Sequence, residues 1–230
     1  TLLSQKKVSH IDISNSTDEG NQIKKIISLA KERNITLNFL DKKSIEKKSA
    51  TKKSQGVILY LDDNHQSSVE DMIFLADSKK EVPFLIILDR VQDPHNLGAI
   101  ARSAEVFGIH GIIVPSKESA KISPGAIRAS SGALEHINFT IVNSINKTIS
   151  YLKKLNFQII SLDMDGKDIN NFKIDSSLPT VLVVGSEHNG VSKTIIENSD
   201  YTVSIPMKGE ISSLNVSVAT GITLYELCGK

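Results

Sequence analysis

From residue 84 onward, short apolar runs alternate with stretches of helical period. The run 84–88 is apolar throughout, which suits a strand buried on both faces of a parallel sheet. Similar runs at 111–114, 138–142, 158–162, 180–184 and 202–205 predict further strands. After the first, Leu97, Ile100, Ala101, Ala104 and Phe107 recur at helical spacing, so a helix is expected over 96–107, ending at Gly108. Patterns at 145–155, 192–199 and 215–227 predict more helices. Such alternation predicts an α/β fold with a mostly parallel six-stranded sheet and helices on both of its faces.

The beginning of the chain reads as a smaller α/β unit. Residues 8–13 and 35–40 have strand character, and 56–61 look like a buried strand. Ser16 and Thr17 offer N-caps for a helix through Ile23, Ile26, Ile27 and Ala30. From 62 to 80 the chain turns polar and acidic, with a short amphipathic stretch around Met72, Ile73 and Leu75. The expected organisation is a small domain over 1–65, a linker over 66–82 and a larger domain over 83–230. Thr1 opens the chain without a methionine, so a truncated N-terminus is expected.

Composition narrows the chemistry. Among 230 residues, 40% are hydrophobic and 23% charged, so a real core can form. A net charge of +1 neither demands nor excludes a nucleic-acid partner. Its distribution is more telling. Lys42, Lys43, Lys47, Lys48, Lys52 and Lys53 stand against Asp41 and Glu46, a local excess of +4. Such a cluster either neutralises phosphates or forms a solvated loop. The single cysteine, Cys228, and six scattered histidines provide neither a disulfide nor a metal site. With no apolar run of transmembrane length and no signal peptide, a cytoplasmic protein without a membrane partner is expected.

Three segments carry candidate chemistry. The first runs from Asp89 to Gly108 and starts at a strand end, where α/β folds place ligands. Here Asp93-Pro94 and Asn96 can cap the helix. Arg102 falls beside the buried stripe, and spacing allows either a snorkelling arginine or a guanidinium aimed at an anion. The second, Gly185-Ser186-Glu187 through Gly190, is a glycine-bearing turn after a strand. The third passes from Ile205-Pro206-Met207 to Ser213-Leu214-Asn215, where Ser213 and Asn215 sit at a helix start. Neither GxGxxG after Leu88 nor GxxxxGK[ST] occurs, which disfavours nicotinamide and nucleoside-triphosphate enzymes.

In order and spacing, these segments resemble the three signature motifs of the SpoU (TrmH-type) branch of the SPOUT methyltransferases. Asp93-Pro94-His95-Asn96-Leu97-Gly98 with Arg102 is similar to the first, Gly185-Ser186-Glu187 with Gly190 to the second, and Ile205-Pro206-Met207 through Ala219 to the third. Ala129 to Glu135 also resembles a family segment. The resemblance implies S-adenosylmethionine-dependent methylation of a ribose 2′-hydroxyl in RNA, a trefoil knot and a homodimer. It further implies Gly185, Ile205 and Leu214 as contacts of the methyl donor, and Arg102, Asn96, Glu187, Ser213 and Asn215 as catalytic residues. Family analogy makes Arg102 the base. A guanidinium hardly ever deprotonates, so binding a phosphate and stabilising an emerging alkoxide suits Arg102 better, with Glu187 as an alternative proton acceptor.

Residues 1–65 are similar to the small ribosomal-protein-like RNA-binding domain of the RlmB-like subgroup. That implies a guanosine of 23S (large-subunit) rRNA as target. Thiostrepton-resistance methyltransferases share the two-domain plan, which leaves another rRNA or tRNA nucleotide open. Ser54 stands where the subgroup usually has a histidine. A non-catalytic RNA-binding homologue is the rival reading, and intact Asn96, Arg102, Glu187, Ser213 and Asn215 argue against it.

Overall fold

A computed structural model describes residues 8–17, 20–49, 55–61, 67–186, 189–210 and 213–228. The chain divides into two compact units, one up to residue 65 and one from 66.

The first unit consists of β1 (Val8–Ser14), α1 (Asn21–Glu32), β2 (Thr36–Leu40), α2 (Lys42–Lys48) and β3 (Val57–Leu61). Its sheet has the order β2-β1-β3, with β2 parallel and β3 antiparallel to β1. Ile11 and Ile13 share one face of β1 and pack with Ala30, Ile26 and Ile27 of α1. The N-cap of α1 is Gly20, not Ser16 or Thr17. Those two hydroxyls are used locally: Ser16 bonds to Ser14, and Thr17 donates to the Gly56 carbonyl at 3.5 Å.

Part of the lysine cluster is helical. Asp41 caps α2 by accepting from the Ser44 amide at 3.0 Å, and Ile45 is buried. On the other face of β1, Asp12 is 0% exposed. It accepts from Asn38 Nδ2 at 2.9 Å and from Lys48 Nζ at 2.9 Å. Lys48 thus pairs with a buried carboxylate, while about half of its side chain stays exposed. Lys42, Lys43 and Lys47 are exposed, whereas Lys52, Lys53 and Ser54 lie outside the described residues.

Burial pushes the Asp12 carboxyl up, but its Asn38 and Lys48 hydrogen bonds outweigh this and leave it below the usual carboxylate range. A depressed carboxylate contributes stability above its unfolded value, and loses it as pH falls through the folded one. Asp12→Ala should therefore destabilise this unit by about 1–3 kcal/mol at neutral pH, with part of its acid sensitivity gone. Urea unfolding followed by circular dichroism between pH 7 and pH 3 checks both effects.

The second unit opens with α3 (Val69–Lys79), where a linker was expected. Ser68 and Asp71 form a reciprocal capping box. Met72 is fully buried against Gly111, where a Cβ would lie 2.2 Å from its sulfur. The stretch is therefore a helix packed into the core of this unit, not a connector.

There follow β4 (Phe84–Leu88), α4 (Pro94–Val106), β5 (Gly111–Pro115), α5 (Pro124–Ala129), β6 (Asn138–Val142), α6 (Ile145–Lys154), β7 (Gln158–Asp168), β8 (Thr180–Val184), α7 (Lys193–Glu197), β9 (Tyr201–Ser204) and α8 (Val216–Cys228). The sheet is parallel and six-stranded, in the order β6-β5-β4-β8-β7-β9. Alternate residues of each strand enter cores on opposite faces. Ile86 and Leu88 pack with residues of α4, α5 and α8, and Leu85 and Ile87 with residues of α3, α6 and α7.

The pairing of β7 with β9 is irregular. Val203 of β9 pairs with Leu162 and again with Lys167 of β7. The intervening residues arch from one partner to the other, and a Cβ on Gly166 would lie 2.4 Å from the Val203 carbonyl carbon.

Candidate active site

Three strands, β4, β8 and β9, end at about one level, with β7 passing between the last two. Leu88 pairs with Val184, Val184 with Leu162, and Leu162 with Val203. The chain segments after β4, β8 and β9 thus leave the same edge of the sheet. At a strand spacing of about 4.8 Å, Gly185 and the chain after β9 stand about 10 Å apart across β7.

Gly185 is required by its own turn. Ser186 and Gly190 exchange backbone hydrogen bonds at 3.2 and 3.0 Å. This brings the Gly190 backbone so close that a Cβ on Gly185 would lie 1.9 Å from its carbonyl carbon. Ile205 is half-buried against the core, and Leu214 exposes 41% of its surface. Ser213 is exposed, and Glu187 lies outside the described residues.

The first and third segments meet directly. Asp93 caps α4 by accepting from the His95 amide at 2.8 Å, with Pro94 in the first turn. Asn96 is therefore not the cap. It is buried, and its Oδ1 accepts from Asn215 Nδ2 at 3.0 Å, across 119 residues of sequence. Asn215 Oδ1 in turn accepts from the Ser217 amide at 2.9 Å and hydroxyl at 2.6 Å, capping α8. One amide side chain thus starts α8 and ties it to α4.

Arg102 lies six residues beyond Asn96, about 9 Å along α4. It lines a shallow cleft of about 460 Å³ with Ala99, Ser103, Ala129, Ser217 and Gly221 among its other walls. The small residues account for the cleft. Gly98 works similarly beside it, since a Cβ there would meet the Ala126 carbonyl oxygen at 2.4 Å and so hold α5 off α4. Arg102 is exposed, and among the described residues no hydrogen bond or ion pair occupies it. A guanidinium in a cleft without a protein anion is suited to an external phosphate.

Two site-edge residues escaped the sequence reading. Asp89 is buried and paired with Arg90, and both contact the chain after β8. Their signal was a charged dipeptide immediately after a fully apolar strand. Among the described residues no group of histidine, cysteine or acidic side chains could hold a metal. No described helix is long and apolar enough to cross a membrane.

A sequence model of the family described as SpoU rRNA Methylase matches residues 83–225. A second, described as RNA 2'-O ribose methyltransferase substrate binding, matches residues 2–67. YacO of Bacillus subtilis, named as a putative TrmH family tRNA/rRNA methyltransferase, is 33% identical over 231 residues, 100% of this chain and 91% of its own. A Borreliella burgdorferi protein named as a tRNA/rRNA methyltransferase is 40% identical over 210 residues, 89% of this chain and 92% of its own. The crystal structure of the SpoU methyltransferase AviRb from Streptomyces viridochromogenes, in complex with AdoMet, aligns with a TM-score of 0.78 and 23% identity over 96% of this chain and 82% of its own. That likeness is one of fold. The A. aeolicus TrmH/SpoU tRNA modifying enzyme aligns at 31% identity and a TM-score of 0.57 over 68% of this chain and 81% of its own.

Proposed function

The chain belongs to the SpoU rRNA methylase family, and from that premise we propose that it methylates a ribose 2′-hydroxyl of RNA, a guanosine of 23S rRNA, using S-adenosylmethionine. The observation that carries this reading is Arg102 in a cleft between α4 and α8, two helices that the Asn96–Asn215 hydrogen bond ties together. Support for ribosomal RNA comes from the SpoU rRNA Methylase match over residues 83–225, and support for ribose methylation from the substrate-binding match over residues 2–67.

The residues at the strand ends fit the donor. Gly185 presents bare backbone closed from behind by Gly190, Ile205 offers a half-buried apolar side chain, and Leu214 an exposed one. Such a set suits an adenine ring held by apolar contact and backbone groups. When bound, S-adenosylmethionine supplies a methyl group already activated by its sulfonium charge.

The chain's own residues then bind, orient and stabilise. Arg102 holds the phosphate next to the target ribose with two parallel N–H bonds. Its charge also stabilises the alkoxide that develops on the 2′-oxygen. Asn96 and Asn215 fix α4 and α8 relative to each other, which fixes the height of Arg102 in the cleft. Ser213 orients the ribose at the rim, and Glu187 accepts the departing proton, directly or through water. Lys42, Lys43 and Lys47 on α2 contact RNA phosphates in the first unit.

The active unit is a homodimer. Val218, Ile222 and Tyr225 form an exposed apolar stripe on α8, at the helical spacing that a second copy covers. Sedimentation equilibrium should give twice the mass of one chain.

Incubating the protein with methyl-labelled donor and either large-subunit rRNA or tRNA tests the substrate. Label should enter the rRNA, and label in tRNA alone would overturn the ribosomal assignment. Bound donor without any transfer would favour a non-catalytic RNA-binding homologue.

A further inference from the structure

Arg90 adopts a left-handed backbone conformation, with φ of +60°. A side chain there costs free energy that glycine would avoid, so its persistence calls for a compensating contact. Its guanidinium supplies several. Nε and Nη2 each donate to the Asp89 carboxylate at 3.1 Å, and Nη2 also reaches the Gly190 carbonyl at 3.5 Å.

Asp89 completes the arrangement from the other side. It is 4% exposed, and its Oδ2 accepts from the Ser192 amide at 2.9 Å. Its own amide donates to the Val184 carbonyl at 2.8 Å. Residues 89 and 90 therefore grip the chain immediately before Gly185 and again at Gly190 and Ser192. Breaking one partner of a buried ion pair is costly, whereas the intact pair adds little net stability; its contribution here is geometric.

We propose that Asp89 and Arg90 are positioning residues of the donor site, holding Gly185 and Gly190 where the donor's backbone contacts form. This rests on the reading of Gly185 as a donor contact. The two residues act through the chain after β8 and touch neither RNA nor the reacting atoms.

Arg90→Gly separates positioning from folding, because glycine relieves the strained φ while deleting the guanidinium. Its thermal midpoint should fall only slightly, because relief of the strained φ offsets part of the cost of leaving Asp89 without its partner. Its affinity for S-adenosylhomocysteine, measured by calorimetry, should fall by about tenfold or more. Asp89→Asn, which keeps an acceptor for the Ser192 amide, should raise KM for S-adenosylmethionine while leaving kcat at saturating donor unchanged. Undiminished affinity in Arg90→Gly, or a fall that only tracks a lower midpoint in both variants, would overturn the clamp while the donor site stands. Failure of the unsubstituted protein to bind S-adenosylhomocysteine would remove the donor reading and the clamp with it.

Discussion

Replacing Arg102 with alanine should lower methyl transfer by about a hundredfold to a thousandfold and leave donor affinity unchanged. The guanidinium faces a cleft walled by Ala99, Ser103, Ala129 and Gly221, none of which carries charge. Nothing in that wall can replace it as a phosphate anchor. The strand-end loops proposed to hold the donor are built from other residues, so binding of S-adenosylhomocysteine should persist. Arg102→Lys keeps the charge but gives up the planar two-point contact, and should fall between the two. Initial rates at saturating donor, with calorimetry on the same preparations, measure both effects. Full activity in Arg102→Lys would dismiss the two-point phosphate contact.

Gly185→Ala should weaken donor binding by about a hundredfold. The added Cβ would lie 1.9 Å from the Gly190 carbonyl carbon, 2.1 Å from the Val191 amide nitrogen and 2.2 Å from the Gly190 oxygen. All three are backbone atoms, so no side-chain rotation relieves the overlap and the turn must move. Overpacking of this kind costs about 1–3 kcal/mol, and about 3 kcal/mol corresponds to that hundredfold. Gly209→Ala is the control, since a Cβ there meets nothing within 4 Å. Calorimetric titration with S-adenosylhomocysteine reads the difference, and equal affinity in the two variants would contradict the role given to the turn.

The six-stranded sheet was legible because strands buried on both faces are apolar throughout. The runs starting at Phe84, Gly111, Asn138, Gln158 and Thr180 all begin where strands begin. The continuation of β7 through Asp163, Asp165 and Lys167 was not legible, since those residues are polar and pairing with β9 resumes only at Lys167 after a register shift. α3 was obscured by Phe74, which is 72% exposed and blurs the apolar face that Met72 defines. Its capping box at Ser68 and Asp71 was the stronger signal.

Longer-range chemistry stayed hidden for a common reason. Asn96 follows a proline at a helix start and looks like a cap, yet its partner is 119 residues away. Lys48 sits in a cluster of like charges, and nothing local reveals a buried Asp12 on the neighbouring strand. Asp89 and Arg90 look like an ordinary polar turn until Ser192 and Gly190 are brought beside them. Local patterns report local structure, and each of these contacts depends on the closed sheet.

Nucleoside analysis of RNA methylated by the purified protein tests the central claim most directly. After reaction with methyl-labelled donor and large-subunit rRNA, complete digestion should place the label on one 2′-O-methylated nucleoside, guanosine, and Arg102→Ala should lower the initial rate at which that peak grows by about a hundredfold or more. Label on a nucleobase, or no label despite bound donor, would contradict the account.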